Sequence, residues 1–141
     1  MSDYRPSPSE WVRDQVATIE AAGDTGAASM HGLSVVLLTM TGRKSGDTLK
    51  VPLMRVEHEG SYAAVASKGG APDHPQWYYN LRALPDIELL DGTQSRPMRA
   101  REISGAERDI WWERCVAAFP PYAEYQQKTE RTIPVFVLEP R

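Results

Sequence analysis

Three apolar runs crowd into residues 33 to 67, joined by links that allow only antiparallel pairing. The runs are LSVVLLTM (33–40), KVPLMRVEHE (50–59) and SYAAVAS (61–67). Parallel neighbours need a crossover of roughly a dozen residues or more, usually a helix. Here TGRKSGDTL alone separates the first run from the second, and Gly60 alone separates the second from the third. The chain is therefore expected to meander, with a short hairpin at Glu59-Gly60-Ser61. The first run is uninterrupted, as in a strand buried on both faces. The second alternates at Val51 and Leu53, and Pro52 belongs at a strand edge or a bulge.

Helical spacing flanks this block. Ser7, Pro8 and Glu10 read as a capping box with proline at the first helical position. Val12, Val16 and Ile19 follow, and Gly23 ends a helix over 8–22. A loop of small residues runs to Gly32. Pro75 opens and Pro85 closes a helix whose inner face holds Leu81 and Leu84. DIELLDG and SRPMRAREI form a strand pair joined near Asp91-Gly92. Ser104 and Glu107 make a second capping box for a helix reaching Ala118. PPYAEYQQKT is a short helix and IPVFVLEP a last strand. The whole is an α+β domain, a small antiparallel sheet or barrel of about six strands packed by three to four helices.

Composition removes several function classes. The chain has 141 residues, 41% of them hydrophobic, which suits one domain with a real core. Its net charge is -3, which disfavours a broad nucleic-acid surface. The N-terminal stretch has no basic and apolar signal pattern, and no apolar run is long enough to span a bilayer. The lone cysteine, Cys115, fits a reducing compartment and reads as a buried helix residue rather than a nucleophile. His31, His58 and His74 show no ligand spacing, so no metal site is expected. A cytoplasmic protein with at most peripheral membrane contact is the expectation.

Against this acidic background, two loops are locally basic. TGRKSG (41–46) sets Arg43, Lys44 and Ser45 between Gly42 and Gly46, with Lys50 at the head of the next strand. Glycines let backbone amides approach an anion, and the cations supply charge-assisted bonds to phosphate or carboxylate. It is not a Walker loop, because Arg43 stands where that motif needs glycine. ASKGG (66–70) repeats the chemistry with Ser67, Lys68 and two glycines. On spacing alone, both are equally readable as ordinary glycine turns. Trp77, Tyr78 and Tyr79 are consecutive on a helix and cannot all face the core, so one can wall a planar ligand. Tyr122 and Tyr125, three apart, share a helix face. Their phenols would donate to a developing oxyanion, having an ordinary pKa near ~10. No nucleophile triad, carboxylate pair or dinucleotide fingerprint is present. These parts suit a planar, phosphorylated cofactor that brings its own chemistry.

LLTMTGRKSG, VPLMRVEHEG, VASKGGAPDHPQWYYNLRA and PPYAEYQQKTERTIPVFVLEP, in this order, resemble the deazaflavin-dependent nitroreductase family of actinobacteria. The likeness runs from Leu33 to Pro140, with residues 1–30 a variable N-terminal helix and loop of the single domain 1–141. The resemblance implies a split β-barrel that binds coenzyme F420 and passes hydride to quinones, activated enones or nitroaromatics. It implies Arg43, Lys44, Ser45 and Gly46 as contacts to the cofactor's phosphate and polyglutamate tail, with Lys50 a further cation. Pro52, Leu53 and Met54 would lie beside the ring system, Ala66, Ser67, Lys68 and Gly69 would meet it, and Trp77 would border it. Tyr122 and Tyr125 would close the substrate pocket and, with Ser67, hydrogen-bond the substrate oxygen as catalytic residues. Two positions depart from the pattern: Leu49 stands where relatives often have arginine, and Phe119 where some nitroimidazole-reducing relatives have tyrosine.

The expectation is an F420H2-dependent reductase of a small-molecule acceptor, with a monomer preferred and no nucleic-acid partner. An FMN-dependent split barrel and a non-catalytic deazaflavin-binding protein are the alternatives.

Overall fold

The computed structural model describes residues 4–7, 9–29 and 32–141. Pro8 and His31 therefore lie outside the described residues. The chain folds as α1 (Glu10–Ala22), β1 (Val35–Thr41), β2 (Thr48–Met54), β3 (Glu57–His58), β4 (Ser61–Val65), α2 (Gln76–Ala83), β5 (Asp86–Asp91), β6 (Gln94–Glu102), α3 (Gly105–Ala118), α4 (Pro121–Gln127) and β7 (Val135–Pro140). A single-turn 3-10 segment at Lys68–Gly70 links β4 to α2.

All strands join one antiparallel sheet in the order β2-β1-β5-β6-β7-β4-β3. β2 and β3 sit at opposite edges, yet only Arg55 and Val56 connect them. Three Cα steps reach at most about 11 Å, so the two edges must lie together and the sheet must curl. Backbone bonds seal the corner: Arg55 N donates to Ser34 O at 3.0 Å, and Ala63 N to Val56 O at 2.9 Å. Among the described residues the result is a split barrel of seven strands, where the sequence suggested about six, with four helices around it.

β1 fills both of its faces, as its unbroken apolar run requires. Val36, Leu38 and Met40 point into the barrel with Leu89, Met98, Phe136 and Leu138. Val35 and Leu37 point outward, under Val16 and Ile19 of α1. A separate outer core joins Val65, Val135 and Val137 to Trp111, Cys115, Phe119 and Tyr122 of α3 and α4. Cys115 is fully buried there, and burial pushes its thiol pKa up to about 12, which leaves it an inert core residue.

Several expectations need correction. The run 50–59 is two strands, because the chain turns its corner at Arg55 and Val56. β4 does not continue a meander with β2; it pairs with β3 and with β7, Ala63 opposite Val137. The Glu59-Gly60 hairpin is present, with positive φ at both residues (53° and 85°), the geometry of a tight two-residue turn. Pro52 lies on the edge strand β2, as a residue without an N–H should. The cap of α1 is Ser9, which accepts from Val12 N, whereas Ser7 Oγ accepts from Ser9 N one step upstream. Pro75 is the N-cap of α2 rather than part of its first turn. The Ser104–Glu107 box does not form: Ser104 makes no side-chain cap, and Glu107 is drawn away into a bidentate pair with Arg101.

Candidate functional site

A cavity of about 840 Å³ opens between the outer side of β2, the 67–70 turn, α2 and α4. Of the residues singled out from sequence, Lys50, Pro52, Leu53 and Met54 line one wall. Ser67, Lys68, Gly69 and Trp77 line a second, and Tyr122 and Tyr125 a third. The two basic-loop readings therefore separate. Residues of the 66–70 loop reach the cavity, but Arg43, Lys44, Ser45 and Gly46 do not line it.

Local bonds account for that placement. Arg43 turns back onto α2: its backbone N and Nη1 both donate to Asn80 Oδ1, at 3.1 and 2.9 Å, and its guanidinium lies 5.1 Å from the centre of the Tyr79 ring. Ser45 Oγ accepts from Asp47 N at 3.1 Å, and Gly46 has φ 74°, so both shape the turn. Lys44 is exposed and makes no ion pair among the described residues. Ala66 points into the barrel core, with its N–H donating to Pro134 O.

Cations fringe the cavity, and each carries an internal partner. Lys50 Nζ is 2.6 Å from Glu20 of α1, Lys68 Nζ 2.9 Å from Asp73, and Arg5 Nε 3.2 Å from Asp47. Lys68 holds Asp73 below the usual carboxylate range by donating a hydrogen bond to it. Arg5 was not singled out from sequence. Tyr4 makes a short parallel bridge opposite Thr48, and Arg5 N donates to Thr48 O at 2.8 Å. That bridge lays Arg5 and Trp11 along the cavity. Nothing in the sequence before Ser7 signals it beyond the lack of helical spacing.

The aromatic end is dry. Tyr122 is 5% exposed and packs edge-on against Phe119, ring centres 4.9 Å apart, and against Tyr125 at 6.3 Å. Burial, with smaller help from Cys115 and Tyr125, raises its pKa well above the ordinary phenol range. Tyr122 is therefore a hydrogen-bond donor at any neutral pH and never a base. Among the three consecutive aromatics of α2, Tyr78 is buried, Tyr79 exposed, and Trp77 half-buried at the cavity. Ser67 is nearly buried, lines the cavity and caps no backbone N–H of the turn it precedes. Phe119 also lines it, supplying ring surface but no hydroxyl.

The donor set fits a ligand with an anionic tail and a planar head. The cavity lining combines the cations Arg5, Lys50 and Lys68, apolar residues such as Pro52, Leu53 and Met54, and the hydroxyl-bearing Ser67, Tyr122 and Tyr125. Among the described residues no group of side chains could hold a metal ion.

Comparison with known proteins agrees with this chemistry. The model of the F420H(2)-dependent quinone reductase family matches residues 11–140. A Mycobacterium tuberculosis protein provisionally named for that activity is 38% identical over 116 residues, covering 82% of this chain and 98% of its own. A solved structure of an F420-H2 dependent reductase (FDR-A) is 57% identical, with a TM-score of 0.72 over 74% of this chain and 93% of that one. Another, described as a domain-swapped dimer, is 51% identical, with a TM-score of 0.75 over 94% and 100%. With the family matched over nearly the whole chain, this protein belongs to the F420H(2)-dependent quinone reductases.

Proposed function

We propose that this protein reduces a quinone-type acceptor in the 840 Å³ cavity, with reduced coenzyme F420 as hydride donor. The observation that carries the reading is the cavity's polarity. The lining brings the cations Arg5, Lys50 and Lys68 into the same cavity as Trp77 and the hydroxyl-bearing Ser67, Tyr122 and Tyr125. When bound in its reduced form, the deazaflavin supplies the hydride.

The chain's own groups do the rest. Lys50 and Arg5 hold the anionic tail, exchanging their internal carboxylates for those of the ligand, with Arg43 and Lys44 as further cations toward it, while Lys68 meets the ring system with the rest of its turn. Pro52, Leu53, Met54 and Trp77 hold the ring system in a water-poor slot and fix its orientation toward the acceptor. Tyr122, Tyr125 and Ser67 donate hydrogen bonds to the acceptor oxygen as it gains negative charge, so they act as the catalytic residues.

Fluorescence titration with oxidised F420, with FMN as control, tests the cofactor. Stopped-flow loss of reduced F420 on adding a soluble quinone tests the reaction. Binding of the deazaflavin alone, followed by quinone-dependent turnover, is expected. Preference for FMN would overturn the cofactor assignment, and binding without turnover on any quinone would overturn the catalytic one.

A further inference from the structure

Arg131 lies in a segment between α4 and β7 that takes no part in the cavity lining. Its guanidinium nevertheless reaches across to the turn that does. Nε donates to Ala71 O at 2.9 Å, Nη1 to Ala66 O at 3.1 Å, and Nη2 to Ser67 O at 2.8 Å. Nη1 also meets His74 Nδ1 at 3.0 Å. One side chain thus gathers three carbonyls on either side of Lys68–Gly70, from positions 60 to 65 residues away in sequence. The backbone around the cavity-lining Ser67, Lys68 and Gly69 is thereby tied to a segment outside the cavity.

The clamp is anchored at both ends. Gln126 of α4 donates from Nε2 to Arg131 O at 2.8 Å and accepts from Ile133 N at 2.9 Å, which fixes the backbone that carries the guanidinium. On the far side, His74 packs at a tilt on Tyr78 with ring centres 4.2 Å apart, at the entry to α2. Gly70 packs directly on the Tyr125 carbonyl, where an added Cβ would fall 2.8 Å from that oxygen. Arg131 therefore sits at the joint of three cavity walls: the Ser67 turn, the tyrosine helix α4, and the start of α2 before Trp77.

Resting on the proposed function above, we infer that Arg131 is the positioning residue that sets the Ser67–Gly69 turn against the deazaflavin ring. Guanidinium is suited to the task, since it has five N–H donors in a fixed plane and accepts none. A lysine has three donors on one atom and cannot span acceptors spread in this way.

The contact with His74 makes the clamp sensitive to acid. Arg131 can only donate, so His74 Nδ1 must accept, and the ring is neutral with its proton on Nε2. Protonated His74 would set donor against donor. The charged groups facing His74 are Arg131 and Arg82, which disfavour its protonation, and Glu102 and Asp73, which favour it, with Tyr78 and Tyr79 as ring neighbours. Burial and Arg131 prevail and hold His74 below the ordinary imidazole range.

The test is binding of oxidised F420 and of the tail-less deazaflavin riboside to the full chain and to Arg131→Lys, read by fluorescence. Arg131→Lys is expected to weaken both ligands by the same factor, tenfold or more, because the turn serves the ring. Lys50→Ala is the control that weakens the tailed cofactor alone. A folded Arg131→Lys that binds like the parent, or one that loses only the tailed ligand, overturns the inference. A parent that binds neither ligand removes the proposed function, and this role with it. If Arg131→Lys does not fold, His74→Gln decides, because its amide oxygen can accept from Arg131 at any pH. Parental affinity should fall as pH drops through and below the imidazole range, and this slope should vanish in His74→Gln. A parent that is flat with pH, or a variant with the parental slope, overturns the inference.

Discussion

Lys50 Nζ lies 2.6 Å from Glu20 Oε1, so the cation of β2 that faces the cavity already carries a counterion from α1. Any anionic ligand must compete with that carboxylate. Glu20→Gln should therefore tighten binding of the tailed cofactor by about two- to fivefold at low salt, the scale of a half-exposed ion pair. The gain should shrink as salt screens the charges. The tail-less deazaflavin should bind as before. Fluorescence titration at two ionic strengths checks it, and unchanged or weaker binding of the tailed cofactor would take Lys50 out of the tail site.

Tyr122 is the donor placed deepest in the cavity, and burial keeps it protonated. Tyr122→Phe keeps the ring packing against Phe119 and Tyr125 and removes one hydroxyl. Losing one donor to a developing oxyanion costs on the order of 10² in turnover. Cofactor affinity should stay close to that of the parent. Single-turnover kinetics beside a binding titration separates the two. Parental turnover in the variant would end the catalytic role of this phenol. Tyr122 should add no limb to the pH profile near neutrality, because its pKa lies far above that range.

The elements that were legible in the sequence are those whose cause is local. β1 was readable because an unbroken run of Val and Leu fits only a strand with both faces covered, and Val36 and Val35 do face opposite cores. The phenols at 122 and 125 were readable because three-residue spacing on a helix sets a shared face. Pairing was not readable in the same way. Alternation in SYAAVAS says which residues share a face, but not that Ala63 pairs with Val137. The internal partner of the 41–46 loop is hidden for a related reason. A glycine-framed Arg43 looks available, yet its bond to Asn80 spans 37 residues and cannot be seen in a short window. Arg131, in a stretch that reads as a connector, has a role only because the fold returns the 66–71 backbone to it.

Gly70 and Gly69 make a matched pair for testing how tightly the turn is held. Both have positive φ, 83° and 63°. An added Cβ at Gly69 meets nothing within 4 Å, whereas at Gly70 it would lie 2.8 Å from Tyr125 O and 3.1 Å from Lys128 Cβ. Gly69→Ala should cost about 1–2 kcal/mol, the usual strain of a left-handed L-residue. Gly70→Ala carries that strain and also a clash with backbone, so it should lower Tm further and displace α4. Its turnover should fall more than its loss of stability explains. Calorimetry on both variants checks the order, and equal Tm values would mean that α4 yields freely to the turn.

Tyr62 spans the barrel to donate to Asp91 Oδ2 at 2.5 Å, while Arg55 Nε lies 3.0 Å from both carboxylate oxygens. Burial alone would raise the pKa of Asp91, but the hydrogen bonds from Arg55 and Tyr62 outweigh it and hold the group below the usual range. A depressed carboxylate pKa means that the unfolded chain takes up the proton first as pH falls. The stabilisation is thus complete above the unfolded value of about 3.9, and it drains away as pH falls toward the folded value. Tyr62→Phe removes a donor to a charged acceptor and should cost about 1–3 kcal/mol at neutral pH. It should also move the acid-unfolding midpoint to higher pH, because Asp91 then protonates more readily in the folded state. Urea denaturation of parent and variant at neutral pH and well below the unfolded carboxylate value of about 3.9 checks both. The gap between them should narrow in acid, since a protonated Asp91 has less use for the phenol. A gap of constant size across that range would mean that Tyr62 contributes packing alone.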